Sequence, residues 1–165
     1  MERLSRQHAR GGQHRAGHGQ LGDDELDGGP YPVTLDADGK RLRATTGSAQ
    51  TRFVWDPSYA NPELVLERDA SSSLIRSHTP GLDGSPLSMS DGSNTFYLLQ
   101  DDLGSTADVI SASGVAQSRY SYEPFGQTTE TPLVGGAPAN PVRYTGEYQD
   151  PSAFYHLRAR QYDPA

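Results

Sequence analysis

The chain has 165 residues, a formal net charge of −7, 33% apolar residues and no cysteine, with 18 glycines and 12 prolines. The missing cysteines exclude a disulfide framework, thiolate metal sites and a Cys nucleophile, and the acidic balance makes the surface as a whole repel a phosphate backbone. So few apolar residues, among so many turn formers, argue against two full domains or a helical bundle and favour one array of short strands.

Residues 1–31 are expected to be a disordered basic, His- and Gly-rich tail, because large apolar residues are scarce up to Pro30. Arg3, Arg6, Arg10 and Arg15 stand against Glu2 alone, which gives the first 20 residues a charge of +3 and leaves −10 for the rest. The stretch holds no apolar run that fits a signal peptide or a membrane span, so the chain is cytoplasmic as encoded, while its final location is left open. His14 and His18, with His8 nearby, have the spacing of two imidazoles on one helical face. Their neighbouring glycines favour a flexible tail over a metal site. No metal and no cofactor is expected anywhere in the chain.

From Pro32 onward, short apolar or alternating segments alternate with turn residues and show no sustained helical period. Nine strands are predicted, in chain order "KRLRATT", "TRFVWD", "ELVLER", "SLIRS", "TFYLLQ", "TADVISA", "QSRYSYE", "VRYTGEY" and "FYHLRARQY". "NPELVLER" and "TADVISA" are each long enough for no more than a helical turn. The turns share one chemistry: Asp36-Ala-Asp-Gly39, Asp101-Asp-Leu-Gly104 and Glu123-Pro-Phe-Gly126 place an acid three residues before glycine, and Ser111-Ala-Ser-Gly114 does so with a hydroxyl. The first side chain can accept a hydrogen bond from the backbone two residues on, while the glycine supplies the positive φ that closes a hairpin. The unit is strand, turn, strand, recurring at roughly 20-residue spacing.

Four motifs in the second half resemble the RHS-repeat-associated core domain, which closes the YD-repeat shells of bacterial Rhs toxins and ABC-toxin C components. They are "DDLGSTADVISASG", with Asp101, Leu103, Gly104 and Ser105; "YSYEPFG", with Tyr120, Tyr122, Pro124, Phe125 and Gly126; "RYTGEYQD", with Arg143, Thr145 and Gly146; and "YHLRARQYDP", with Leu157, Arg158, Arg160, Tyr162, Asp163 and Pro164. They follow the family's order over about 70 residues. Upstream, "LDADGKRLRATTGSAQTRFVWD" (Leu35 to Asp56) is similar to one degenerate YD repeat, with Leu35 where the repeat has Tyr. Near the end the chain has Ser152-Ala153-Phe154 where the family favours Thr-Gly-Leu, so Ala153 replaces a glycine expected to need positive φ. The resemblance implies an all-β architecture of strand-turn-strand repeats forming part of an Rhs-like β-shell with a core plug. Degenerate shell strands would occupy residues 32–96 and an incomplete core domain residues 97–165.

In that family a hollow β-shell encloses a toxin, and the core acts as an aspartyl-type autoprotease that releases it. The resemblance therefore places the Arg158 and Arg160 strand near such a site, with the scissile Asp-Pro segment beyond Ala165. No catalytic residue is assigned here, and Asp163 before Pro164 is read as a turn. If "FYHLRARQY" is one strand, Arg158 and Arg160 share a face with Phe154, His156 and Tyr162, opposite Tyr155, Leu157 and Ala159. Ordinary cross-strand pairing or stacking on tyrosine is the expected role of the two arginines. His156 has no evident Ser or Asp partner and is expected to pack or face solvent. The expected function is a structural fragment of a toxin-encapsulating shell, with remaining shell segments or a toxin polypeptide as partners and neither nucleic acid nor membrane. The alternatives are an autoprotease core working with a partner chain, and a surface module whose tyrosines hold glycans. A few repeats with open edge strands are further expected to be marginally stable or to associate.

Overall fold

The structure, a computed structural model, describes residues 24–26, 32–157 and 160–165. Its strands are β1 (Asp24–Leu26), β2 (Val33–Leu35), β3 (Arg41–Thr46), β4 (Ala49–Asp56), β5 (Glu63–Arg68), β6 (Leu74–Pro80), β7 (Pro86–Ser90), β8 (Thr95–Gln100), β9 (Thr106–Ser111), β10 (Ala116–Tyr122), β11 (Thr128–Pro132), β12 (Tyr148–Gln149), β13 (Tyr155–Leu157) and β14 (Arg160–Tyr162). The first eleven form one antiparallel sheet in strict sequence order, and the last three form a small second sheet. The expected all-β architecture is thus the observed one. Of the tail expected to be disordered, Asp24–Leu26 pairs with β2, and the rest, His8, His14 and His18 included, lies outside the described residues.

The meander follows from the turn chemistry. Gly39, Gly104, Gly114 and Gly126 have φ between 80° and 91°. Each donates its N–H to the carbonyl of the residue three before it, Asp36, Asp101, Ser111 and Glu123, at 2.8–3.0 Å. The Asp101 carboxylate also accepts the N–H of Leu103 and Ser105 at 2.9 and 2.8 Å, the bond that makes an acid the favoured first residue. The same turn recurs at Gly81–Gly84, Asp69–Ser72 and Asp150–Ala153. In the last two the left-handed position is held by Ser72 and Ala153, each at φ 70°, so the position read as wanting glycine does adopt the conformation glycine favours.

The sheet's inner face carries two apolar clusters. Met89, Phe96, Leu98, Val109 and Tyr120 gather beneath Val142, and Val33, Ala44 and Phe53 beneath Tyr148. Val142 and Tyr148 come from the terminal segment, so that segment is the lid on the sheet's apolar face, as expected for two packed layers. β8 straddles residues 96 and 97, and the sheet runs through that point unbroken.

Two predicted strands are corrected. "VRYTGEY" is not one strand: Val142 makes an isolated bridge to Tyr148, and only Tyr148 joins a strand, β12. Between them Tyr144–Gly146 is a single 3-10 turn in which Thr145 and Gly146 take φ of 51° and 74°, a left-handed pair that no extended strand can contain. "FYHLRARQY" is not one strand either. β13 and β14 pair antiparallel, with Tyr155 opposite Tyr162, His156 opposite Gln161 and Leu157 opposite Arg160. Arg160, opposite Leu157, therefore does not share a face with His156. Arg158 itself lies outside the described residues. The unpredicted strands β2, β7 and β11 are short, and two are bounded by proline: Pro86 opens β7 and Pro132 closes the edge strand β11, places where a missing N–H costs little.

Candidate functional site

The four motifs meet where the terminal layer lies on the turn between β10 and β11. That turn, Glu123 to Gly126, presents three successive carbonyls, and three tyrosine hydroxyls donate to them. Tyr144 donates to Pro124 at 3.0 Å, Tyr162 to Phe125 at 2.8 Å and Tyr155 to Gly126 at 3.0 Å. The Tyr155 hydroxyl also lies 2.5 Å from the Thr128 hydroxyl. The rings of Tyr122, Tyr144, Tyr155 and Tyr162 follow one another at centroid distances of 5.7, 6.1 and 6.5 Å, tilted contacts in the favourable range for aromatic pairs. Gly126 lies so close to this row that a Cβ there would come within 2.5 Å of the Tyr144 ring. Phe125 points away and is exposed.

The "DDLGST" turn is held by the same layer. Ser105 and Thr106 are fully buried. The Ser105 hydroxyl accepts the Thr145 N–H at 3.1 Å. The Thr106 hydroxyl donates to the Val142 carbonyl at 2.8 Å, and its N–H donates to Arg143. Tyr122 reaches the Thr106 carbonyl at 2.6 Å. Gly146 closes the approach, since a Cβ there would sit 3.2 Å from the Pro86 ring. Asp101 and exposed Leu103 belong to the turn alone.

Arg143 fastens the layer to the sheet edge. Its guanidinium donates to Glu130 at 2.6 Å, to Gln149 at 2.9 Å and to the Asn140 carbonyl at 2.9 Å, and it lies 5.2 Å from the Tyr120 ring centre. Tyr120 donates to the same Glu130 carboxylate at 3.1 Å. Burial, followed by the Glu130 charge, pushes the Tyr120 phenol up to about 12. Burial likewise raises Tyr122, with the Tyr155 phenol adding to it. Both shifts favour the neutral hydroxyl, which donates to the Glu130 carboxylate from Tyr120 and to the Thr106 carbonyl from Tyr122.

Two buried ionic groups complete the interface. Arg41 and Asp150 pair at 2.7 Å with side chains 1% and 0% exposed, and the Arg41 guanidinium lies 5.6 and 5.8 Å from the ring centres of Phe53 and Tyr148. Glu67 accepts from Arg76 at 2.6 Å and from Tyr148 at 3.1 Å, and lies 2.7 Å from His78 Nε2. Burial opposes the charge on Glu67, yet His78 and Arg76 together hold its carboxyl below the usual range. Removing one partner of such a pair strands a buried charge. Sequence reasoning missed Asp150, Glu67, His78 and Glu130, whose partners lie up to 109 residues away in the chain. His156, expected to pack or to face solvent, is buried and packs 5.9 Å from Trp55.

Among the sequence-assigned residues, Leu157 on β13 and Arg160 on β14 are exposed, and Pro164 is buried. Asp163 accepts the Ala165 N–H at 3.0 Å, a local turn. Of the acids in the motifs, Asp101 and Asp163 are engaged in turns and Asp108 and Asp150 in ion pairs. Among the described residues no group of three His, Asp or Glu side chains could hold a metal ion, and no helix is long and apolar enough to cross a membrane.

No protein-family model matches the sequence. The chain is 27% identical over 130 residues to the tRNA3(Ser)-specific nuclease WapA of Bacillus spizizenii and 26% identical to the tRNA nuclease WapA of Bacillus subtilis; each match takes in 78% of this chain but 6% of the relative. Among solved structures it is similar to the Tc holotoxin pore of Photorhabdus luminescens, with a TM-score of 0.59 at 16% identity. It is also similar to the TcdB2-TccC3 complex, at 0.59 and 17%. These cover 81% of this chain and 7% of the other. The fold is accordingly that of a short stretch of Rhs-type β-shell, seen here with its covering terminal layer.

Proposed function

We propose that the chain is a structural part of a toxin-enclosing β-shell, with residues 32–96 supplying wall strands and residues 97–165 the RHS-repeat-associated core that plugs them. The observation that carries this reading is the set of three tyrosine hydroxyls seated on three successive carbonyls of the "EPFG" turn. The residues that carry the resemblance are spent on docking one layer of the chain onto another. The similarity to WapA nucleases and Tc toxin components supports a toxin-associated role. Autoproteolysis by an aspartyl mechanism needs two carboxylates that share a proton. Asp150 and Asp163 instead have an arginine and a backbone N–H as partners.

The test is intact-mass analysis of the purified chain during prolonged incubation between pH 4 and 8. A single unchanged mass is expected. Two complementary fragments, lost on Asp150→Asn or Asp163→Asn in a variant that still folds, would overturn the structural reading in favour of the autoprotease.

A further inference from the structure

The sheet's other face carries a feature that the plug does not use. Arg43 on β3 stands directly opposite Arg52 on β4, and Arg52 directly opposite Arg68 on β5. Their sequence neighbours Ala44, Phe53 and Glu67 are buried under the plug, so the alternation of a strand sends all three arginines to the opposite face. Adjacent strands are about 4.8 Å apart, which makes this a row about 10 Å long. Arg43 and Arg52 are exposed and Arg68 is half-buried.

Like charges placed directly across strands destabilise a sheet, and this sheet does so twice in succession within a chain of net charge −7. The contacts of the three guanidiniums are to neutral oxygens: Thr34 for Arg43, Gln50 and Ser72 for Arg52, and the Ser72 carbonyl for Arg68. Among the described residues none of the three is in an ion pair; the Asp69 carboxyl is held low chiefly by its bond to Ser71, with Arg52 adding a smaller share. Apolar side chains flank the row. Val54, 39% exposed, follows Arg52 by two residues, and Leu74, also 39% exposed, stands opposite Arg68.

We infer that this arginine row is a docking surface for an acidic polypeptide segment, with carboxylates on Arg43, Arg52 and Arg68 and apolar residues against Val54 and Leu74. Guanidinium forks match carboxylates in pairs, and the exposed apolar flanks suit side chains of a peptide. A nucleic acid fits less well: its backbone would carry its charge on past the row, over a surface that is acidic overall. This inference is independent of the plug and of the toxin-shell reading.

The experiment is fluorescence anisotropy of the full 165-residue chain with a labelled peptide of alternating Glu and Val, at low and high salt, with tRNA and inorganic phosphate as competitors. The expected result is salt-sensitive peptide binding that weakens at least tenfold in the triple variant Arg43→Gln, Arg52→Gln, Arg68→Gln. The triple variant is also expected to melt at the same or a higher temperature, because the repulsion is gone. The inference is overturned by no peptide binding, by binding that the triple variant retains, by tRNA or phosphate displacing the peptide at lower concentration than unlabelled peptide does, or by a lower melting temperature, which would make the row part of the sheet's own stability.

Discussion

Substituting alanine for Gly126 isolates the contact between the "EPFG" turn and the terminal layer. The change has two costs. Gly126 sits at φ 91°, and a side chain in the left-handed region costs roughly 1–2 kcal/mol. The new Cβ would also lie 2.5, 2.8 and 3.0 Å from three carbons of the Tyr144 ring, so the ring must move, an overpacking cost of about 1–3 kcal/mol. If the ring shifts far enough to lose the Tyr144 bond to Pro124, about 1 kcal/mol more is lost. Gly114 provides the control: it makes the same turn at φ 81° with open space around it. The expectation is therefore about 1–2 kcal/mol for Gly114→Ala and about 2–5 kcal/mol for Gly126→Ala. The larger figure is a sizeable part of the roughly 5–15 kcal/mol that holds a domain folded. Urea titration reads both, followed by circular dichroism and by emission from Trp55, the single tryptophan, whose indole bonds to Arg41 and packs on His156 beneath the terminal layer. In a Tyr144→Ala background the cost of Gly126→Ala should fall to that of Gly114→Ala. Equal costs for the two glycine variants in the native background would refute the argument that the turn is built around the tyrosine.

Ala153→Gly is expected to act in the opposite direction. Releasing the left-handed alanine gains about 1–2 kcal/mol, and the freer unfolded chain takes back about 0.4–1, so the melting temperature should rise by about 2 °C; a fall, measured calorimetrically, would mean the Ala153 methyl packs usefully. Glu67 predicts an acid limit: its depressed carboxyl contributes stability that is fully present above the unfolded value of 4.5 and is lost as pH falls through the folded value. The urea midpoint should drop below about pH 4.5, and Glu67→Gln should flatten that dependence; an unchanged slope in the variant would assign the acid sensitivity to other carboxylates.

What was legible in the sequence was what five or six consecutive residues decide. The acid-x-x-Gly turns are closed by bonds within their own span, so Asp36–Gly39 or Asp101–Gly104 announces itself, and Ala153 stands out because the pattern demands a positive φ. Strands with an apolar inner face, such as β4 and β8, were readable for the same reason. β11, "TTETP", was not, because as an edge strand with few buried positions it needs no apolar alternation. Arg160 was misplaced because the reversal between β13 and β14 carries neither glycine nor proline. The contacts that hold the pair are long-range: Tyr155 and Tyr162, opposite one another, both donate to the turn between β10 and β11.

The candidate site was legible as a set of residues and illegible as a geometry, and the chemistry of its bonds explains the difference. Side chains that bond to side chains leave complementary letters, but Arg143 and Glu130, 13 residues apart, are not marked as partners by anything local. Here most acceptors are backbone carbonyls, at Pro124, Phe125, Gly126, Thr106 and Val142, and a carbonyl has no letter. Glycine at position 126 is the trace such an arrangement leaves, since it marks the close approach of a ring without saying whose. A tyrosine is required over phenylalanine wherever the ring packs and a carbonyl beneath it has lost water, because an unmet buried carbonyl costs more than the hydroxyl gains in the open. That condition holds for Tyr122 and Tyr155, which cross from one layer or strand to another. A motif rich in tyrosine, glycine and turn residues is therefore what one layer of backbone needs in order to lie down on another.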